Sequence, residues 1–294
     1  MIAYEQRCLD CLICNIPKDT EEYSSAISTK IMVGLQKNCF KYGFMENKVN
    51  ILNVEIDNIS EQELLQQLKR GVLITPNVDQ LVKLQKDREF YEIVKKAEWV
   101  VCDSKILLLC SKLLGTPFKE AIPGSGFFPH FYMFHKDNPD CKIFLLGAME
   151  GVAKKAMENI NRKVGREIVV GAYSPSYGFE KKEEENEAIH KMINDSGANV
   201  VLVGVGCPKQ EKWIDAHKAM MPGVDIWMAL GATIDFEAGN VKRAPKWVQA
   251  IAMEWFYRFL MEPRRMFKRY FVDDPKFFWY LLKQRTGFYK NPFS

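Results

Sequence analysis

The sequence lacks the features that mark several common protein classes. It has no stretch of about 18 uncharged apolar residues, so we expect no membrane-spanning helix. Charged residues such as Glu5, Arg7 and Asp10 interrupt the N-terminus, which therefore lacks the core of a signal peptide and predicts a cytoplasmic protein. Excess positive charge is also small, at +4 over 294 residues, and does not indicate a nucleic-acid partner.

Complete metal-binding patterns are lacking as well. The four histidines show no HExxH or comparable spacing, so we expect no zinc site built on them. Cys8, Cys11 and Cys14 have the spacing C-x2-C-x2-C, with Cys39 further along, and leave an iron–sulfur or zinc site open as an alternative. Because no second CxxC pair completes such a site, we expect free thiols in a variable extension over residues 1–47.

What the chain does contain is a regular alternation of strand and helix patterns. Apolar runs predict strands at 50–56, 72–75, 99–102, 142–146, 167–173, 200–205 and 226–231. Helical patterns separate them, and the first begins with a capping box formed by Ser60 and Glu63. The sequence therefore predicts an α/β fold over residues 48–240, a mostly parallel Rossmann-like sheet with helices on both faces.

The stretch 200–213 joins a buried strand to a helix through a glycine-rich turn. Gly204 and Gly206 loosen the backbone, and Pro208 and Lys209 open the helix. Unpaired N–H groups and a cation at such a turn favour anions, phosphate above all, although an ordinary turn remains the alternative. Because Lys209 takes the third glycine position of a dinucleotide fingerprint, a nucleotide-dependent oxidoreductase or methyltransferase is disfavoured.

Polar residues follow several of these strands, at the edge where parallel sheets bind ligands. Thr75 and Asn77 are candidates to hydrogen-bond a sugar or base, or else to cap the next helix. Asp103 is a candidate carboxylate at the sheet edge, or else the N-cap of the helix that begins at residue 105. Gln210 and Asp235 complete the set, and we expect Gln210, as a polar first-turn residue, to contribute little to the core.

Residues 241–294 differ from the rest in composition. They hold 12 lysines and arginines against four acidic residues, a net charge of +8, interleaved with many aromatic residues. This combination suits the anionic face of a membrane, whereas the alternative is a helical appendage whose aromatics pack on the main domain. The segment is predicted to be separable, so that a chain ending near Val241 stays folded.

Several motifs occur together in a fixed order and carry a resemblance. They are Thr75-Pro76-Asn77, Asp103, Gly204-x-Gly206-x-Pro208-Lys209-Gln210-Glu211-x-Trp213, Gly231-Ala232-x-x-Asp235-Phe236-x-Ala238-Gly239, Arg243-Ala244-Pro245, Glu254-Trp255-x-x-Arg258, Glu262-Pro263-x-Arg265 and Arg269-Tyr270. Over about residues 49–272 the chain resembles the WecG/TagA/CpsF family of bacterial glycosyltransferases. Its fold and activity are therefore expected to follow that family.

The resemblance implies a specific reaction. Family members transfer N-acetylmannosamine, its uronic acid or glucose from a UDP-sugar to a polyprenyl-diphosphate-linked sugar, with inversion and without a metal. They serve the assembly of teichoic acid, enterobacterial common antigen, capsule or exopolysaccharide. The expected partners are thus a UDP-sugar, the lipid-linked acceptor and the inner face of the bacterial membrane, with no resident cofactor. A homo-oligomer is left open.

The resemblance also assigns roles to residues. Asp103 matches the family's proposed general base, and the positions expected to bind substrate are Thr75, Asn77, Gly206, Lys209, Gln210, Asp235, Arg243, Arg258 and Arg265. The chain departs from the family pattern at Ser104, Ala121 and Gly126, which bear on the choice of sugar. The alternative function is a catalytically silent, membrane-associated UDP-binding partner of a polysaccharide assembly complex.

Overall fold

The computed structural model describes residues 47–241, 244–245, 248 and 253–294, with only the backbone for Arg258 and Arg265. The strands, in chain order, are β1 (Lys48–Ile51), β2 (Val54–Asp57), β3 (Gly71–Ile74), β4 (Trp99–Val100), β5 (Ile143–Gly147), β6 (Val169–Tyr173), β7 (Val200–Gly204) and β8 (Ile226–Ala229). Strands β3 to β8 form one parallel sheet in the order β4-β3-β8-β7-β5-β6. The predicted Rossmann-like sheet is confirmed.

Helices cover both faces of this sheet. They are α1 (Glu61–Gln67), α2 (Val78–Lys83), α3 (Arg88–Lys96), α4 (Lys105–Leu114), α5 (Gly124–Phe134), α6 (Val152–Val164), α7 (Glu183–Ser196), α8 (Lys209–His217), α9 (Thr233–Glu237), α10 (Glu254–Met261), α11 (Pro263–Lys268) and α12 (Pro275–Arg285). Strand side chains alternate between two buried clusters: Ile143 and Leu145 join one, Phe144 and Leu146 the other. A strand buried on both faces needs a continuous apolar run, which is the pattern that the sequence shows.

The start of the sheet region differs from the prediction. Residues 50–56 do not form one strand; β1 and β2 pair as an antiparallel hairpin, with Ile51 opposite Val54. The reversal places Leu52 in the left-handed region, at φ 57°. Leucine seldom adopts that conformation. The apolar side chain of Leu52 therefore continues the strand pattern, and the sequence does not indicate the turn. The capping box is confirmed, since Ser60 N donates to Glu63 Oε2 at 2.8 Å and Glu63 N to Ser60 Oγ at 3.3 Å.

A second difference lies at Pro123-Gly124-Ser125-Gly126, whose proline and two glycines predict a turn before an aromatic helix. These residues instead form the first turn of α5, with Phe127 N donating to Pro123 O at 2.9 Å. Gly124 is small because other elements approach it closely: a Cβ there would lie 2.7 Å from Leu230 Cδ2. Close packing rather than a turn therefore explains this glycine.

The C-terminal segment divides into a buried and an exposed part. In α12, Phe277 and Leu281 are buried in the core cluster that also lines one face of the sheet. Gln284 extends this docking, since its Oε1 accepts from Leu52 N at 2.8 Å and its Nε2 donates to Asn50 O at 2.9 Å. This docking argues against the expectation that a chain ending near Val241 stays folded, which is still a prediction.

Other aromatic rings of the same segment point outward. Phe267, Phe271 and Trp279 are each more than half exposed. The interpretation as an appendage that packs on the main domain thus holds for one side of α12, whereas the membrane interpretation of the exposed rings stays a prediction. Within the residues described, no helix is long and apolar enough to cross a membrane.

Candidate active site

The carboxyl ends of the parallel strands bring most of the predicted site residues to one edge of the sheet. Thr75 directly follows β3, and Asp103 lies just beyond β4. Gly206 lies in the turn between β7 and α8, and Gln210 in the first turn of α8, while Asp235 belongs to α9 after β8. The shared direction of the strands, not proximity in sequence, creates this candidate site.

Asp103 is held at the beginning of α5. Its Oδ1 accepts from Gly124 N at 3.2 Å. The alternative role as N-cap of α4 is wrong, because Ser104 is the cap and its Oγ accepts from Leu107 N at 3.3 Å. An anionic side chain at a helix N-terminus is favoured by the helix dipole. Ser104, one of the departures from the family pattern, thus caps α4. Asp103 is not the cap of that helix.

Three strand ends meet around Gly124. A Cβ on this glycine would lie 3.2 Å from Thr75 Oγ1, so the Thr75 hydroxyl, which is almost fully buried, faces the start of α5. Leu230, just after β8, approaches Gly124 from another direction. Thr75, Asp103 and Leu230 therefore surround one backbone segment, and a shift in any of them would move the others.

Asn77 has the capping role that the sequence left open. Its Oδ1 accepts from Gln80 N at 3.2 Å, and its own N–H donates to Gln80 Oε1 at 2.9 Å. The same Oδ1 also accepts from Arg269 Nη2 at 3.2 Å. Asn77 therefore joins the end of β3 to the C-terminal segment. The sequence placed Arg269 in a motif but gave no indication of this contact.

Arg269 lies among acidic side chains. Its Nε is 3.9 Å from Asp79 Oδ2 and 4.0 Å from Asp274 Oδ2. Burial raises the pKa of Asp274 to about 6, and Asp79 adds to this rise, whereas Arg269 opposes it. Arg269 is thus held at the edge of the candidate site by its hydrogen bond to Asn77, with two carboxylates at the limit of ion-pair distance.

Gln210 is a structural clamp. It is 1% exposed, its Oε1 accepts from Gly206 N at 3.2 Å and from Gly231 N at 3.1 Å, and its Nε2 donates to Glu211 Oε1 at 2.9 Å. The expectation that it contributes little to the fold is therefore wrong. The turn pattern predicts unpaired N–H groups at this position. Gly206 N–H does not fit that prediction, because it donates to Gln210.

The remaining predicted residues are placed less closely around Asp103. Lys209 Nζ pairs with Glu180 Oε2 at 3.3 Å and lies 5.4 Å from the centre of the Tyr177 ring, so its charge is shared with the loop after β6. Asp235 is half-buried on α9. Arg243 lies outside the described residues, and the side chains of Arg258 on α10 and Arg265 on α11 do too.

The loop after β5 contributes a feature that sequence reasoning missed. Gly147 packs against the backbone of β7, since a Cβ on it would lie 2.5 Å from Gly204 O. Ala148 N donates to the same oxygen at 3.2 Å, and Gly151 precedes α6, a helix of 13 residues. The signal was present in the sequence, as two glycines four residues apart after an apolar strand.

The topology gives this loop its significance. Strand β5 connects through α6 to β6 on one side, whereas its neighbour β7 connects through α8 to β8 on the other. Crossovers that diverge in this way leave a crevice between the two strand ends, where open α/β sheets bind their ligands. The candidate site therefore includes this crevice beside the group around Asp103.

No cluster of three or more His, Cys, Asp or Glu suited to a metal ion occurs among the described residues. Burial raises the pKa of Cys102 to about 12 and that of Cys110 to about 11. These thiols are therefore protonated at neutral pH and are poor nucleophiles and metal ligands. The N-terminal cysteines lie outside the described residues.

Comparison with known proteins agrees with the resemblance. The model of the glycosyl transferase WecG/TagA/CpsF family matches residues 49–291, which extends the similarity through α12. An N-acetylglucosaminyldiphosphoundecaprenol N-acetyl-beta-D-mannosaminyltransferase of Bacillus subtilis strain 168 is 27% identical over 79% of this chain and 88% of its own length. Proteins of the same name from Bacillus spizizenii and Staphylococcus aureus strain MW2 are 27% and 26% identical, over 77% and 74% of this chain and 84% and 87% of their own lengths. The chain belongs to the WecG/TagA/CpsF family of glycosyl transferases.

Proposed function

We propose that this glycosyl transferase moves an N-acetylmannosamine-type sugar from a UDP-sugar to a polyprenyl-diphosphate-linked sugar, during the synthesis of a cell-surface polysaccharide. The names of the bacterial relatives support both the sugar and the lipid-linked acceptor. The observation that carries the proposal is the position of Asp103, a carboxylate held where the ends of β3, β4 and β8 meet. Transfer proceeds with inversion and without a metal ion.

An inverting transfer needs one general base. Asp103 takes the proton of the acceptor hydroxyl while that oxygen attacks the anomeric carbon and the bond to UDP breaks. The hydrogen bond from Gly124 N–H holds this carboxylate in place at the edge of the sheet. UDP is a good leaving group, so a second carboxylic acid, which glycosidases need, is not required.

The negative charge of the donor's diphosphate must be met by N–H groups or cations of the protein. We place the nucleotide along the crevice between β5 and β7, beside the N-terminus of α6, because helix N-termini attract phosphate. Arg258 and Arg265 match the family's motifs and supply cations to the diphosphate, for which arginine offers paired hydrogen bonds. Arg269, already at Asn77, brings the segment that carries them to the edge of the sheet.

The acceptor's lipid requires contact with a membrane. Phe256, Phe259, Phe267 and Phe271, which we call the ring cluster, form a continuous set with centroid separations of 5.3 to 6.4 Å. Three of the four are exposed, and Leu260 and Met261 beside them are 60% and 63% exposed. Apolar side chains next to a strongly basic sequence fit an anionic bilayer surface, so we place the protein at the inner face of the membrane.

A transfer assay tests the proposal. Purified protein is incubated with polyprenyl-diphosphate-linked N-acetylglucosamine and, in turn, UDP-N-acetylmannosamine, its uronic acid and UDP-glucose, with and without EDTA. We expect transfer from one donor that EDTA does not reduce, and NMR of the product should show an inverted anomeric centre. If the protein transfers sugar from none of the three donors but binds UDP, the result would instead support the catalytically silent binding partner.

Asp103→Asn isolates the base. The change keeps the shape and removes the proton acceptor, so kcat should fall by roughly 10²- to 10⁴-fold with UDP binding unchanged. Asp87→Asn is the matched control, because Asp87 caps α3 through Phe90 N at 3.0 Å and asparagine can keep that bond. Turnover near the wild-type rate in Asp103→Asn would refute the assignment.

A further inference from the structure

Two consecutive side chains at the start of α8 are almost completely buried. Gln210 and Glu211 are each 1% exposed. Gln210 Oε1 accepts from Gly206 N, in the loop after β7, and from Gly231 N, in the loop after β8, at 3.2 and 3.1 Å. One amide oxygen thus ties together the two loops that adjoin the candidate site.

Glu211 completes the hydrogen bonding of this amide. Its Oε1 accepts from Gln210 Nε2 at 2.9 Å, so the amide nitrogen has an acceptor while the amide oxygen faces the two N–H groups. Without that acceptor, the buried NH2 group would be left without a hydrogen bond, which destabilises the folded state. Glu211 therefore favours the one orientation of Gln210 in which the clamp forms.

Burial of the Glu211 carboxylate lowers the stability of the folded state. Its Oε2 has no hydrogen-bond partner in the part of the chain that is described, and burial raises its pKa to about 7. The charge of Lys83 opposes this rise, but Lys83 Nζ is already bonded to Asp79 Oδ2 at 2.8 Å. An apolar residue would fill this space at lower cost, so stability alone does not account for a carboxylate here.

The clamp is connected to Asp103. Gly231 follows Leu230, whose side chain lies against Gly124, and Gly124 N donates to Asp103 Oδ1. We propose that Glu211 is a positioning residue: by orienting Gln210 it fixes the loop of Leu230 and Gly231 against α5, and thereby the carboxylate of Asp103. The link to catalysis rests on the proposed function, whereas the clamp itself does not.

A rescue experiment tests the orientation. Gln210→Glu places two carboxylates at hydrogen-bonding distance and should lower kcat by roughly 10- to 100-fold, because small displacements at a reacting centre have effects of that size. Adding Glu211→Gln restores one carboxylate and one amide, with their positions exchanged. The double variant should recover most of the lost rate. A double variant no better than Gln210→Glu would overturn the proposal.

Glu211→Met removes the acceptor while keeping an unbranched chain of similar length. It should lower kcat with little change in the KM for the donor, because no substrate contact is removed. The matched control is Asn161→Ala, since the Asn161 side chain bonds both the N–H and the C=O of Val169, at 2.8 and 2.9 Å, at the opposite end of the sheet. The control should lower stability but not kcat. An unchanged kcat in folded Glu211→Met would refute the positioning role.

Hydrogen exchange gives a readout that needs no substrate. The amides of Gly206 and Gly231 should be protected in the wild type and exchange faster in Glu211→Met, but not in Asn161→Ala. Unchanged exchange at both glycines would overturn the clamp. If the wild type transfers no sugar, the proposed function fails while this measurement still decides whether Glu211 orients Gln210.

Discussion

At the residue scale, burial makes two carboxylates, Glu211 and Asp274, costly to ionise. Asp274 is 9% exposed and its Oδ1 has no hydrogen-bond partner within the described residues. Its raised pKa, about 6, means that the folded state holds a proton that the unfolded state has already released between about pH 4 and 6. The free energy of unfolding should therefore fall as pH rises through this window, and the full penalty remains above it.

Asp274→Asn should remove this penalty. At pH 8 we expect the variant to be more stable than the wild type by about 1–3 kcal/mol, since each pKa unit corresponds to about 1.4 kcal/mol, with the two converging near pH 4. Urea unfolding at a series of pH values measures the difference. The control is Asp273→Asn: the pKa of Asp273 is lowered by Lys276, so that change should not stabilise the protein. A variant less stable than the wild type at pH 8 would contradict the prediction.

At the element scale, the sequence predicts the strands that have a regular apolar pattern and misses the features that depend on a single residue. The six strands of the sheet follow from apolar runs, because burial on both faces leaves few other residues possible. The hairpin depends on one left-handed residue, Leu52, and the first turn of α5 on one close approach at Gly124, and no periodic pattern records either feature. Asp103 lies just beyond β4, at the edge of the sheet where the sequence predicts it, but its contact with Gly124 spans 21 residues and follows only from the fold.

The same limit applies to α12, whose two adjacent phenylalanines have opposite environments. Phe277 is fully buried and Phe278 is 50% exposed. Phe277→Ala should lower the free energy of unfolding by about 3–5 kcal/mol, whereas Phe278→Ala should lower it by less than about 1 kcal/mol. Denaturant titration of the two variants makes the comparison. Equal effects would show that α12 does not dock on the sheet domain as described.

At the scale of the whole molecule, residues 267–271 contribute side chains both to an exposed apolar surface and to the edge of the candidate site. Phe267 and Phe271 are exposed, and Arg269 between them bonds Asn77 at the end of β3. A turn of π-helix over Arg269–Asp273 allows these side chains to point in different directions. Contact of the ring cluster with a bilayer would therefore bring the candidate site close to the diphosphate of a lipid-linked acceptor.

Replacing Phe267 and Phe271 together by serine tests this arrangement. Each large apolar side chain contributes about 1.5–3 kcal/mol when it leaves water, and partial insertion gives less, so vesicle affinity should fall by roughly 10- to 100-fold. Phe134→Ser is the matched control, because Phe134 is 50% exposed but ends α5, outside the C-terminal segment. It should bind vesicles like the wild type.

Lipid charge and salt separate the two forces involved. Co-sedimentation with anionic vesicles should weaken from low to high salt, because the attraction of each basic residue near the surface, about 1 kcal/mol, is screened. The serine variant should keep this salt dependence but lose the part of the binding that persists at high salt. Equal binding to neutral vesicles would contradict the role of the basic residues, and an equal loss with Phe134→Ser would show that the ring cluster does not face the membrane. If vesicle affinity falls while transfer to a short-chain, water-soluble acceptor is unchanged, the ring cluster serves the lipid alone and Arg269 holds the site independently.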